Sequence, residues 1–401
     1  MAQPFRSFIK EIIEPQEYPV RHYTPNGKII KPYDITSWSV PLQNGIKYYS
    51  INHNPENFTN SYSNFKISDL LTQPPETSPF ILLPSSNNGS YKAIFFALNK
   101  NFQVYRNIKT GDFIIKAPNK KLLEYISKNC YVDITPLKNL KLNKQYEQLT
   151  YPKIALIETI FHDIDAGWTR FIFDNYNIKY DTYKPVDLVN ANLNKYDVIV
   201  LPNSRRDLLL YGKYQSNNGK YYIPKYPPQL IKGMGEKGLN NLIKFVENGG
   251  IIVSWGKSAE LFSKNIKIGK EEIKLPYSEI SSMLKKQGLF VPGALLKMKL
   301  IKRNKLVYGV DNIVNVFYRA DGVFTTSIPY FDTDRNVIGI FPEKNILVSG
   351  YGEKLNLLGN KSVFITVSKG KGHFILMGFN PQFRASTHAT YKFIFNSLFY
   401  K

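Results

Sequence analysis

A single cysteine, Cys130, in 401 residues excludes an intrachain disulfide and any metal site built from several thiolates. It follows the amphipathic stretch LLEYISKN and precedes YVDI, so it is expected as a small buried hydrophobe at a helix–strand junction, not a reactive thiol. No run approaches the roughly 20 uninterrupted apolar residues that a membrane-crossing helix needs. Arg6, Lys10 and Glu11 interrupt the opening MAQPFRSFIKEIIEPQ, which therefore lacks the apolar centre of a signal peptide. The reading is a chain that stays inside, or the downstream part of a longer exported one. Neither phosphate-cradling loop, G-x-x-x-x-G-K-[ST] or G-x-G-x-x-G, is present. Acidic residues are scarce: Lys+Arg 53 against Asp+Glu 31 gives a formal charge of +22. Such an excess suits a polyanion partner. However, Lys greatly outnumbers Arg, and the densest clusters are short: Lys120-Lys121, Arg205-Arg206, Lys285-Lys286 and Lys299 to Lys305. A general Lys/Asn/Ile/Tyr bias accounts for the excess, so nucleic acid is not an expected partner.

What is present divides into three textures. Residues 1–64 are rich in Pro, Tyr and Asn, with one short helix expected at Phe5 to Ile13 and a very polar loop from Ser50 to Asn64. This segment reads as an irregular linker that needs another surface to lie on. Residues 65–150 read as a small α/β unit. FILLP, QVYRN and GDFIIKA are its strands, SNNGSYKAIFFALNK and LLEYISKN its helices. From Tyr151 to the C-terminus the alternation becomes regular. KIALIE, IKYDTY, DVIVLP and IIVSWG are expected as strands, followed by ALLKMKLI, NVIGIF, NILVSG, SVFITVS and HFILMGF. The helix DAGWTRFI is expected to be capped by Asp165, with Trp168, Phe171 and Ile172 on one face. Leu239, Leu242, Ile243 and Val246 fall at i, i+3, i+4 and i+7, and Gly249-Gly250 stop that helix. The chain closes on a helix with Tyr391, Ile394, Phe395 and Leu398 sharing a face. Alternating strands and helices imply a mostly parallel sheet covered on both sides.

Open α/β sheets gather ligands beyond the carboxyl ends of their strands. There the sequence places His162 to Asp165, Ser204 to Asp207, Lys257-Ser258, and Arg384 to His388. A hydrolase or amidotransferase of this layout needs a nucleophile at the sharp turn after a central strand. The matching SWGKSAE has no cysteine and lacks the G-x-S-x-G glycines, so Ser258 is read as an N-cap rather than the partner of His388. His53-Asn-Pro-Glu56 has H-x-x-E spacing, with His162 and Glu236 downstream, and zinc needs such a set. Its setting in the most polar loop favours coincidence, and Glu236 at a helix start simply suits the dipole.

Several blocks nevertheless resemble one family. QPFRSFIKEIIEPQEYP and KPYDITSWSVPLQNGIK look like the segment just after the catalytic domain in large bacterial M14-type zinc carboxypeptidases. DAGWTRFIFDNYNIKY, DVIVLPN, PPQLIKGMGEKGLNNLIKFVENGGIIVSWG and GFNPQFRASTHATYKFIFNSLFY resemble, in order, the C-terminal glutamine amidotransferase-like domain of those proteins. The resemblance implies an α/β fold, mostly parallel and doubly wound, glutamine amidotransferase-like or flavodoxin-like, over residues 151–401. It implies no nucleophile there and an extracellular or periplasmic setting. It also implies an M14-type peptidase domain as partner, in cis upstream or in trans, and a peptide or glycopeptide ligand. The peptidase half is missing from this sequence, so the family's zinc roles do not transfer to His53, His162 or Glu236. The expectation is a non-catalytic accessory region, without cofactor. Zinc would enter only if the chain were a stand-alone peptidase, a rival reading alongside a serine-type hydrolase and a polyanion-binding module. Asp165, Arg170, Arg384 and His388 are the candidate binding residues. Their alternative role is structural, with Arg384 and Asp165 paired to tie two loops and Thr387 capping the last helix.

Overall fold

A segment apolar at every position belongs where both of its faces are covered, and KIALIE, DVIVLP and IIVSWG lie in such places. The computed structural model describes residues 4–49, 66, 73–161, 163–215, 221–222, 227–228, 231–263, 266–268 and 271–400. His53, Glu56 and His162, and the polar loop 50–64, lie outside the described residues.

Helices α1 (Arg6–Ile13) and α2 (Val40–Asn44) punctuate an otherwise irregular N-terminal segment. The small unit contains β1 (Phe80–Leu83), α3 (Asn88–Asn99), β2 (Val104–Asn107) and β3 (Phe113–Lys116), then α4 (Lys120–Asn129), β4 (Thr135–Leu137) and β5 (Tyr146–Leu149). Its strands pair antiparallel in the order β4-β1-β3-β2-β5. Each helix starts at an asparagine that satisfies an otherwise orphaned N–H. Asn87 accepts from Gly89 at 2.7 Å and Asn119 from Leu122 at 2.9 Å. Cys130 ends α4, buried, and burial pushes its thiol up to about 12.

The large sheet begins with β6 (Ile154–Ile157), α5 (Ile164–Asn175), β7 (Asp181–Tyr183), β8 (Val198–Leu201) and α6 (Arg206–Tyr211). A hairpin of β9 (Tyr214–Gln215) and β10 (Tyr221–Tyr222) precedes α7 (Gly235–Glu247) and β11 (Ile251–Trp255). A second hairpin, β12 (Ile266–Ile268) with β13 (Glu271–Ile273), leads to β14 (Tyr277–Glu279) and α8 (Ser281–Lys286). There follow β15 (Ala294–Leu300), β16 (Ile313–Tyr318), β17 (Phe324–Thr326), β18 (Thr333–Ile340) and β19 (Leu347–Ser349). The chain closes with β20 (Ser362–Lys369), β21 (Gly372–Met377) and α9 (Tyr391–Ser397).

The expectation of a mostly parallel sheet holds for one half of it. β7, β6, β8, β11 and β21 are parallel neighbours in that order. Beyond β21 the pairing turns antiparallel through β20, β18, β15 and β16. The result is an α/β fold on one large mixed sheet. No helix crosses over between β20 and β21, because only Gly370 and Lys371 separate them, and so short a connection permits only a hairpin.

One apolar core runs from Ile81, Tyr91 and Phe113 in the small unit to Phe395 in α9. Arg106 of β2 is the joint. Its guanidinium, 2% exposed, bonds Asn396 of α9 and lies between the rings of Phe113 and Tyr308, at 5.0 and 4.6 Å from their centroids. The N-terminal segment also lies on this chain's own sheet. Gln16 Oε1 accepts from Trp38 N–H at 2.9 Å and Ser39 N–H at 3.1 Å, and Ser37 Oγ donates to Ser349 Oγ at 2.7 Å. Thr36 N–H donates to Gly293 O at 2.7 Å.

Four local expectations are corrected. Asp163, not Asp165, stands at the N-cap of α5. Its buried face is Asp165, Ala166, Thr169, Ile172 and Phe173, while Phe171 points outward because a buried row advances by three or four residues. Ser258 sits inside a 3-10 turn and caps nothing by its side chain. Thr390, not Thr387, begins α9, and its Oγ1 donates to Pro381 O at 2.7 Å.

Candidate functional site

β7 lies on one side of β6 and β8 on the other, so the sheet reverses its winding between β6 and β8. Such a reversal ordinarily opens a crevice at the carboxyl ends of the strands. Here Thr159, Ile160 and Phe161 after β6 meet Pro185 and Leu208, and only about 20 Å³ remains. The room lies one strand further on. A cleft of about 350 Å³ opens beyond β8 and β11, walled by Arg205, Arg206, Lys257, Glu260, Lys285 and Asp321.

The turn after β11 decides what chemistry this position permits. A strained left-handed residue there is where a nucleophile elbow carries its side chain. The residue in that conformation is Gly256, at φ +59°, and a Cβ on it would stand 2.5 Å from Asn203 Oδ1. That oxygen instead accepts Lys257 N–H at 2.9 Å, locking the turn against β8. Ser258 is fully buried. Its Oγ accepts from Ser204 N–H at 2.7 Å and donates to Pro202 O at 2.5 Å. It ties the two strand-end loops together and presents no hydroxyl to the cleft.

The charges around the cleft mostly satisfy one another. Arg205 forms two parallel bonds to Asp207, both at 2.9 Å, and stacks over Tyr214. Asp321 holds Lys285 at 2.9 Å and stands 3.8 Å from Lys257. Arg206 differs, because its Nε is buried without a hydrogen-bond partner.

Asp165, on the first turn of α5, lies behind this cleft and faces Trp255 and Asn203. It is 8% exposed, and its Oδ2 accepts from Asn380 Nδ2 at 2.9 Å. Burial raises its carboxyl to about 6, against the opposing pull of Asn380, Trp255, Asn203 and Arg319. Ser204 Oγ and Gln382 Oε1 are buried without partners around these strand ends.

The turn holding Arg384 packs against α5, which carries Asp165 and Arg170. Among the described residues, no hydrogen bond or ion pair joins Asp165, Arg170, Arg384 and His388 to one another. Arg170 bonds Glu158 at 3.0 Å, and Lys184 bonds the same carboxylate at 2.7 Å. Arg384, at φ +47°, lies over the Phe383 ring, so the expected Arg384–Asp165 tie is replaced by Asn380–Asp165. His388 stacks on Tyr391 and its carbonyl accepts from Asn88. Reading the sequence missed Asn203, Glu158 and Asp321. The loops after β8 and β11 were named from the sequence, but nothing in order or spacing marks Asn203 as the residue that fills the elbow. Among the described residues, no group of His, Cys, Asp and Glu side chains is placed to hold a metal ion.

No protein-family model matches the sequence, and no curated protein does. Solved structures show distant likenesses. A β-galactosidase from Bacillus circulans sp. alkalophilus is 11% identical, with a TM-score of 0.34, covering 62% of this chain and 30% of its own. A cytoplasmic protein from Salmonella typhimurium is 14% identical, at 0.33, covering 61% of this chain and 97% of its own. A protein described as ThuA-like, from Bacteroides uniformis, is 11% identical, at 0.31, covering 61% of this chain and 87% of its own. The chain thus spans about a third of the β-galactosidase it is similar to. At these TM-scores the likenesses carry no argument about activity, which rests on the chain's own residues.

Proposed function

We propose that this chain is a non-catalytic accessory region of an M14-type metallocarboxypeptidase-like protein, with a glutamine amidotransferase-like α/β domain. Its work is to hold a peptide or glycopeptide by a carboxylate in the cleft beyond β8 and β11. The observation that carries the reading is Gly256. The left-handed position after β11, where a nucleophile elbow would carry its side chain, bears none, and Asn203 occupies the space where one would stand. The serine-type alternative finds Ser258 committed to two backbone groups. Beside this turn Arg206 lines the cleft, its Nε buried without a partner, and a guanidinium suits a carboxylate better than any other side chain.

Calorimetric titration with a tetrapeptide bearing a free C-terminal carboxylate, and with its amide, tests the proposal. The free acid is expected to bind and the amide to bind at least tenfold more weakly. Arg206→Ala should erase that difference, since a hydrogen bond to a charged group contributes about 1.5–3 kcal/mol. Equal affinity for acid and amide, or cleavage of the peptide, refutes it. One bound zinc per chain, lost on His53→Ala, would replace it with the peptidase reading.

A further inference from the structure

A second cleft, sharing no lining residue with the first, lies where the N-terminal segment meets the last helix. It encloses about 400 Å³ between α2, the loop 309–311, β16 and the residues leading into α9. The lining is more polar than apolar; Pro41, Leu42, Ile313, Val314 and Ala389 supply its apolar part, and Lys392 lines it as well. Lys392 is only 8% exposed, yet among the described residues no hydrogen bond or ion pair reaches its nitrogen. Every other residue of α9 is buried too, so the side chain has no route to open water except through the cleft.

A lysine this buried and without an ion pair is costly, and the fold has kept one here. Burial lowers its pKa to about 8, and the Asp311 carboxylate pulls the other way. Lys47 and Asp311 also line the cleft. At neutral pH the amine is still mainly charged, so the site presents one cation in excess. Its volume falls within the range of small-molecule sites, roughly 300–1,000 Å³.

We infer that this cleft binds a small monocarboxylate with a short apolar tail, its carboxylate against Lys392 and its tail along Leu42 and Ile313. One cation in excess selects one negative charge, and the strip formed by Leu42 and Ile313 gives a short alkyl tail a place to lie.

Hexanoate titrated calorimetrically into the full chain is the probe, with hexanamide as the uncharged control. Saturable hexanoate binding is expected, at least tenfold weaker in Lys392→Met, with no measurable binding of hexanamide. Lys392→Met keeps the length of the side chain and removes a buried charge, so its unfolding temperature should not fall. Should that variant not fold, Ile313→Trp closes the cleft from its exposed wall and should abolish binding. Arg206→Ala should leave hexanoate binding unchanged, which separates this site from the cleft beyond β8 and β11. Absence of saturable binding by the unaltered chain overturns the inference. So does equal binding by the cleft variants, or loss of binding in Arg206→Ala.

Discussion

At the scale of single residues, the two most consequential side chains are charged groups the fold has removed from water. Asp165 is lifted from 3.8 to about 6, chiefly by burial. The folded state therefore holds its proton more tightly than the unfolded chain does, and stability is lost as pH rises from about 4 through 6. In Asp165→Asn that part of the pH dependence should vanish. The variant should equal or exceed the original at pH 7, with a gap of at most about 3 kcal/mol opening between pH 4 and 6. Urea unfolding at stepped pH reads this directly, and parallel curves for the two proteins would contradict it. Arg106 poses the opposite case, since it makes no ion pair with a carboxylate and is held by two rings, by Asn396 and by Gly111 O, to which its Nε donates at 3.3 Å. Arg106→Ala should cost about 3–5 kcal/mol by leaving a void at the joint between the small unit and α9. Arg106→Met should recover most of that, because volume and ring contact survive while an under-satisfied charge goes. If Met proves as damaging as Ala, the hydrogen bonds hold the joint and packing does not. Neither residue's role was legible in the sequence. Asp165 stood two places from a helix start, so it read as a cap. Its actual partner, Asn380, is 215 residues away, and no local pattern records such a distance.

At the scale of elements, periodicity was a good guide wherever one face decides burial. Leu239, Leu242, Ile243 and Val246 are all buried in α7, and the strands KIALIE, DVIVLP and IIVSWG stand where their unbroken apolar runs require. Direction of pairing was less legible. SVFITVS and NVIGIF are as apolar as the parallel strands, so only the two-residue connection between β20 and β21 betrayed the antiparallel half. The N-terminal segment read as a piece in need of a surface, and Gln16 supplies the attachment to one within this chain. One amide oxygen receives Trp38 N–H, Ser39 N–H and, from the sheet, Ser349 Oγ–H at 3.0 Å, while the amide nitrogen donates to Glu11 O and Glu14 O. Gln16→Ala removes all of these bonds at once. Hydrogen exchange at the Trp38 and Ser39 amides should then quicken at least tenfold, with Val253 in β11 unchanged, because local opening releases only what Gln16 held. Unchanged exchange at Trp38 and Ser39 would assign the attachment to the Ser37–Ser349 and Thr36–Gly293 bonds instead.

At the scale of the whole molecule, the question is whether a net charge of +22 makes a binding surface. A duplex is held by neutralising a row of phosphates, and six to ten such contacts cost about 10³–10⁵ in affinity between 50 and 200 mM salt. That demands cations that are close together and uncommitted. Most of the denser clusters fail the second condition in part once folded. Arg205 is bound to Asp207, Lys285 to Asp321 and Lys305 to Glu147, while Lys302 and Arg303 donate to Asn336 and to Val310 O. The excess is thus spread over the surface, where it raises solubility and attracts polyanions only diffusely. Fluorescence anisotropy with a 20-base-pair duplex should give a plot of log affinity against log salt with a slope no steeper than about −3, equivalent to roughly three phosphates. A slope beyond about −5 would mean that cations which look scattered converge on the ligand. Binding would then have to break ion pairs such as Lys285–Asp321 to recruit them, and Asp321→Asn would be expected to strengthen it.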